Sequence, residues 1–123
     1  MNNKILIADD AAFMRMMLKT ALNEANYNDI IEAKTGSDAV IMYKVERPAV
    51  VLMDVTMPDK DGLEALKDIK AFDPDAKVIM CSSMGQEDVV VTCFSMGADD
   101  FVMKPFKPER IVQAVSKFVQ TEE

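Results

Sequence analysis

Val50, Val51, Leu52 and Met53 form an unbroken apolar run that ends on a carboxylate, Asp54, and then gives way to the turn residues around Pro58. A short apolar run bounded by turn signals reads as a strand covered on both faces, the kind found inside a parallel sheet. No other stretch restricts the fold as strongly, because both faces of such a strand need helices over them. In open parallel sheets, ligands bind outside the carboxyl ends of the strands. Asp54 is therefore the residue around which the rest of the chain is read.

Four further runs share this form. Residues 4–8, Lys4 followed by four apolar residues, lead into Asp9 and Asp10; residues 29–33 give a weaker, edge-like strand. Residues 77–82 end in hydroxyls, and residues 100–104 end in Lys104, followed by Pro105. Between and after the strands lie helices. In residues 12–25, Met14, Met17, Leu18, Ala21, Leu22 and Ala25 follow the i, i+3, i+4 rule, with Phe13 and Met16 off that stripe. Helices are also predicted over 38–46, closed off by Pro48, and over 63–72, closed off by Asp73, Pro74 and Asp75. Residues 87–96 carry the β-branched run Val89, Val90, Val91 and Thr92, which disfavours a helix. Their place in the alternation, and Gly97 as a C′ residue, predict one. A last helix begins at Pro108 with the stripe Ile111, Val112, Val115, Phe118 and Val119. Strand and helix alternate five times with short connections, which predicts an α/β fold: one domain over 1–123 with a parallel sheet and helices on both faces.

Composition excludes several functions. Twenty-one acidic against fourteen basic residues give a net charge of -7, which repels nucleic acid and anionic membrane surfaces. No apolar run approaches the length of a membrane span, and a cytoplasmic location is expected. The chain has no histidine, which removes a histidine general base, a Ser/His/Asp triad and any histidine metal site. Cys81 and Cys93 sit in apolar segments, without CxxC spacing, and read as buried reduced thiols. Met14, Met17, Met53 and Met80 fall at core-type positions, so gap filling accounts for most of the methionines.

Asp9, Asp10, Asp54, Ser82 and Lys104 all fall at the carboxyl ends of predicted strands. Clustered carboxylates raise one another's pKa unless a cation sits among them. Oxygen-only ligands select Mg²⁺, or Mn²⁺ in its place, over zinc, and Mg²⁺ commonly joins a few carboxylates to a phosphate oxygen. Lys104 then serves as a point cation and Ser82 as a hydroxyl donor to a phosphoryl group. Asp54 remains as the nucleophile that accepts it as an acyl phosphate.

These residues, with Met57, Pro58, Asp61, Gly62, Pro105 and Phe106, resemble the motifs of the receiver domains of two-component response regulators over nearly the whole chain. The residues Ala12, Phe13, Met14 and Arg15 are similar to those of its stand-alone chemotaxis members. The resemblance implies strand order 2-1-3-4-5, an order shared with flavodoxin. It further implies that Asp10, Asp54 and the backbone carbonyl of Thr56 hold Mg²⁺, with Asp9 acting partly through water. The donor is a phosphohistidine on a sensor histidine kinase. Phe101 is the aromatic switch that moves inward as Ser82 approaches the phosphoryl group, and Thr56 and Met84 tune how water reaches the acyl phosphate. Met84 cannot orient a water, so slow dephosphorylation and a dedicated phosphatase are expected.

An output surface is expected on the fourth helix, fifth strand and fifth helix, with Val90, Phe94 and Met103 offering an apolar stripe to a partner, in a chemotaxis member the flagellar motor switch. The chain is then a monomeric switch, not an enzyme, that catalyses only its own phosphoryl acceptance and slow autodephosphorylation. Alternatives are a phosphorelay intermediate or a receiver excised from a larger regulator. A flavodoxin-like electron carrier is more distant, because Asp9 and Asp10 repel the FMN phosphate. A haloacid dehalogenase type phosphatase wants a second acid two residues after its nucleophile, where this chain has Thr56.

Overall fold

The computed structural model describes residues 2–83 and 85–121. Five strands, β1 (Ile5–Ala8), β2 (Ile30–Ala33), β3 (Val50–Asp54), β4 (Val78–Ser82) and β5 (Asp100–Met103), form one sheet in the order β2-β1-β3-β4-β5. Every pairing is parallel. The helices are α1 (Ala12–Glu24), α2 (Gly36–Glu46), α3 (Gly62–Phe72), α4 (Glu87–Ser95) and α5 (Pro108–Ser116). Fold class, strand order and number of elements agree with the expectation from sequence.

Alternation along the buried strands divides the core in two. Ile5, Ile7, Val50, Leu52, Ile79, Cys81 and Val102 point to the face covered by α1 and α5, where Leu18, Leu22, Ile111 and Val115 meet them. Leu6, Ala8, Val51, Met53, Val78, Met80 and Phe101 point to the other face, under Val40 and Tyr43 of α2, Leu66 and Ile69 of α3, and Cys93 of α4. Both faces of the central strands are dry, which accounts for runs without polar alternation. No described helix is long and apolar enough to cross a membrane.

Local signals end the elements. Thr35 caps α2 by accepting from the Asp38 amide at 3.0 Å, and Arg47 closes it in the left-handed region. Asp61 caps α3 by accepting from the Glu64 amide at 2.9 Å. Gly97, with φ of 103°, follows α4 as the C′ residue. The last helix closes at Ser116, earlier than its apolar stripe, yet Val119 stays buried and its carbonyl accepts from the Tyr27 hydroxyl at 3.1 Å.

One core assignment is corrected. Met17 is 39% exposed, and the buried face of α1 runs instead through Arg15, Leu18, Ala21 and Leu22. Arg15 can occupy that position because acceptors wait for it at the end of β1 and on β2, so the stripe turns toward them and away from Met17. Met53 and Met80 are fully buried as expected, and Met14 packs partly buried against the α1/α5 face.

Both thiols are free and buried, and burial pushes the Cys81 thiol up to about 12. Ellman's reagent at neutral pH is therefore expected to react with neither cysteine in the native protein and with both in denaturant.

Candidate functional site at the carboxyl ends of the strands

Register places the site. Ala8 pairs with Met53, so Asp9 and Asp54 leave the sheet side by side from β1 and β3. Ser82 pairs with Met103, and the Lys104 amide donates to the Ser82 carbonyl at 2.8 Å, so Lys104 leaves β5 beside the end of β4. Asp9 is buried, Asp10 is exposed and Asp54 lies between. Each offers one carboxylate oxygen, and the three oxygens lie within 4.8 Å of one another.

Lys104 sits among them. Its Nζ lies 2.8 Å from Asp9 Oδ2 and 3.3 Å from Asp54 Oδ1, reaching over the end of β4. Burial alone disfavours its charge, but the hydrogen bond to Asp9 and the field of Asp54 outweigh it and hold the ammonium above its ordinary pKa. Asp54 shifts the same way for another reason. Burial raises its carboxyl and Asp9 adds repulsion, while Lys104 and the Thr56 amide compensate only in part. Asp54 is thus a half-buried carboxylate whose charge its neighbours compensate only in part.

The donor set fits a divalent cation. Three carboxylates against one ammonium leave two negative charges among oxygen-only ligands, and Lys104 already marks where positive charge is favoured. A groove of about 260 Å³ lies elsewhere, lined by Met16, Met17, Ala21 and Phe106 among others.

Ser82 is buried at the end of β4, and Thr56 is exposed in the loop after β3. Phe101 is buried against the α4 side of the sheet. On the surface proposed for output, Phe94 and Met103 are exposed, while Val90 is partly buried against the core. Met84 lies outside the described residues.

A glycine-dependent turn holds Asp54 in place. A Cβ on Gly62 would lie 2.0 Å from the Asp54 backbone carbonyl, so only glycine lets α3 begin against the end of β3. Its amide donates to the Val55 carbonyl at 2.7 Å.

The family model for the response regulator receiver domain matches residues 5–116. The chain belongs to the response regulator receiver family. The chain is 49% identical to the chemotaxis protein CheY of Thermotoga maritima, over 95% of this chain and 98% of that one. It is 48% identical to CheY of Bacillus subtilis over the same shares. Among solved structures, the CheX-CheY-BeF3-Mg+2 complex from Borrelia burgdorferi matches with a TM-score of 0.88 and 37% identity, covering 95% of this receiver and 90% of that chain. The receiver assignment makes a signalling role the coarse function, and relatives of this kind make chemotaxis plausible.

Two outcomes follow from the geometry. Gly62→Ala is expected to lower unfolding free energy in urea by at least about 2 kcal/mol, because the obstacle is backbone. Gly85→Ala should cost less than about 1 kcal/mol, because its Cβ meets only the flexible end of Met103. A carboxyl with a raised folded pKa loses stability as pH rises from its unfolded to its folded value. Asp54→Asn is therefore expected to be more stable than the unsubstituted protein at pH 7 in chelator, with the advantage gone below about pH 3, where the carboxyl is protonated in both states.

Proposed function

We propose that this receiver is a phosphorylation-activated switch of a two-component system, most consistent with chemotaxis. One observation carries the reading: Asp54 at the tip of β3 lies within carboxylate reach of Asp9 and Asp10 while Lys104 contacts both Asp9 and Asp54. A phosphoryl acceptor needs an unhindered nucleophile, a cation to receive the phosphoryl charge and a second cation to steady it, and the residues for all three lie together.

In this proposal an Asp54 carboxylate oxygen attacks the phosphorus of a phosphohistidine on a sensor histidine kinase. The new bond is O–P, the bond broken is P–N, and the imidazole nitrogen keeps its electron pair and takes up a proton. Mg²⁺, for which Mn²⁺ can substitute, would be held by Asp10, Asp54 and the Thr56 carbonyl, with Asp9 acting partly through water, and supplies charge neutralisation when bound. Lys104 exchanges part of its contact with Asp54 for a phosphoryl oxygen, and the Ser82 hydroxyl donates to another. As Ser82 is drawn in, Phe101 is held inward, and the face of α4, β5 and α5 changes its affinity for a partner.

Helix α4 suits that task physically. Its N-cap residue Gln86 makes no side-chain capping bond, and Cys93 is its one fully buried residue, so small changes at β4 and β5 can shift it. Phe94 and Met103 are the exposed apolar residues we assign to the output face, with Val90 beneath them. On the resemblance to chemotaxis receivers, the proposed partner is a flagellar motor switch protein, and a dedicated phosphatase ends the signal. The Borrelia CheY, solved in complex with CheX, supports a separate protein partner at this level. The whole chain is proposed to act as one cytoplasmic, monomeric domain without DNA binding.

Intact mass after incubation with a small-molecule phosphodonor tests the proposal. One phosphoryl group is expected with Mg²⁺, none in chelator and none in Asp54→Asn. Loss of the group should be slow without a phosphatase. No gain in mass with any divalent metal contradicts the proposal.

A further inference from the structure

Arg15 is a charged residue in the buried face of α1, 8% exposed. A guanidinium enters an interior only where its donors are matched. Here Nη1 donates to the backbone carbonyl of Asp9 at 2.7 Å, and Nε donates to Glu32 Oε1 at 2.9 Å. Glu32 lies on β2 and accepts also from Lys19 Nζ at 3.1 Å. Burial opposes ionisation of Glu32, but the bonds from Lys19 and Arg15 outweigh it and hold the carboxyl below its usual range. The guanidinium is thus anchored on a charged residue of the edge strand.

The carbonyl held by Arg15 belongs to the peptide that joins Asp9 to Asp10. A peptide unit is planar, so fixing its C=O direction fixes the plane from which both aspartates project. The remaining groups of Asp9 are held as well. Its amide donates to the Ala33 carbonyl at 3.1 Å, Oδ1 accepts from the Ala11 amide at 2.9 Å, and Oδ2 meets Lys104. Among the described residues, Arg15 supplies the one side-chain hydrogen bond to the backbone between the two carboxylates.

We propose that Arg15 is a positioning residue for the cation site. Tethered to Glu32, it sets the orientation of the Asp9–Asp10 peptide and thereby the affinity of the acidic pocket for a divalent ion. The inference rests on the reading of that pocket given under the proposed function. Groups that orient metal ligands typically change affinity by 10-fold or more when removed.

The test is Mg²⁺ titration calorimetry on the full chain, combined with phosphoryl acceptance measured against Mg²⁺ concentration. Arg15→Met is expected to bind Mg²⁺ on the order of ten-fold more weakly. The half-saturating Mg²⁺ for acceptance should rise by the same factor, while the rate at saturating Mg²⁺ stays near that of the unsubstituted protein. Arg15→Lys should recover part of the affinity, because an ammonium can still reach the Asp9 carbonyl. Glu32→Gln should shift affinity in the same direction as Arg15→Met but less. Unchanged affinity in a folded Arg15→Met protein overturns the proposal, as does a lower saturating rate with unchanged affinity. If Arg15→Met does not fold, unchanged affinity in both Arg15→Lys and Glu32→Gln overturns it. Arg15-dependent Mg²⁺ binding in a protein that accepts no phosphoryl group supports this inference and contradicts the proposed function.

Discussion

The contact of Lys104 with Asp9 and Asp54 is the interaction on which the site depends, and it is a consequence of sheet order. Lys104 follows β5, whereas Asp54 ends β3 and Asp9 follows β1, so β4 lies between the lysine and Asp54, and β4 and β3 lie between it and Asp9. Neighbouring strands lie about 4.8 Å apart, so a long side chain is needed to bring the ammonium over the end of β4. The strands must also end level. Ala8 beside Met53 and Ser82 beside Met103 provide that. A slip of one residue in β3 would exchange its two buried faces and carry Asp54 away from Asp9.

The two-sided core makes such a slip costly. Along β3, Val50 and Leu52 are committed to the α1/α5 side, and Val51 and Met53 to the α2/α3/α4 side. The hydrophobic core thus fixes the positions of charges that would otherwise repel one another. Lys104 offsets part of that repulsion but leaves the charge of Asp54 only partly compensated, which suits the nucleophilic role proposed for it and is unfavourable for stability. The cost stays within a narrow band at one end of the sheet. At the other end, Lys70 is paired with Asp99 at 3.1 Å, and the Asp99 carboxylate accepts from the Val78 amide at 2.8 Å.

Much of this was legible from the chain alone. Strands buried on both faces leave continuous apolar runs, and a charged or hydroxyl residue at the end of such a run marks its tip. The sequence alone therefore assigns Asp9, Asp54, Ser82 and Lys104 to one edge. Helix α4 forms despite its β-branched sequence, and the alternation, which requires a crossover there, predicts it. What could not be read was set by tertiary partners. Arg15 appears on an amphipathic stripe as a polar interruption, and only the Asp9 carbonyl and Glu32, from two other segments, make its burial favourable. The available signal was its spacing, three residues before Leu18 and seven before Leu22. Met17 was displaced for the same reason, and the burial of Phe101 beside an exposed Met103 on the same strand depends on where α4 stops covering the sheet.

Borohydride reduction of the phosphorylated protein, followed by peptide mass mapping, addresses the proposed chemistry most directly. An acyl phosphate on a carboxylate is reduced to an alcohol, which converts the modified aspartate into homoserine. The proposed mechanism predicts homoserine at position 54 alone, formed only after phosphorylation with Mg²⁺. Reduction at Asp9 or Asp10, or a stable phosphate on the Ser82 hydroxyl, would contradict it.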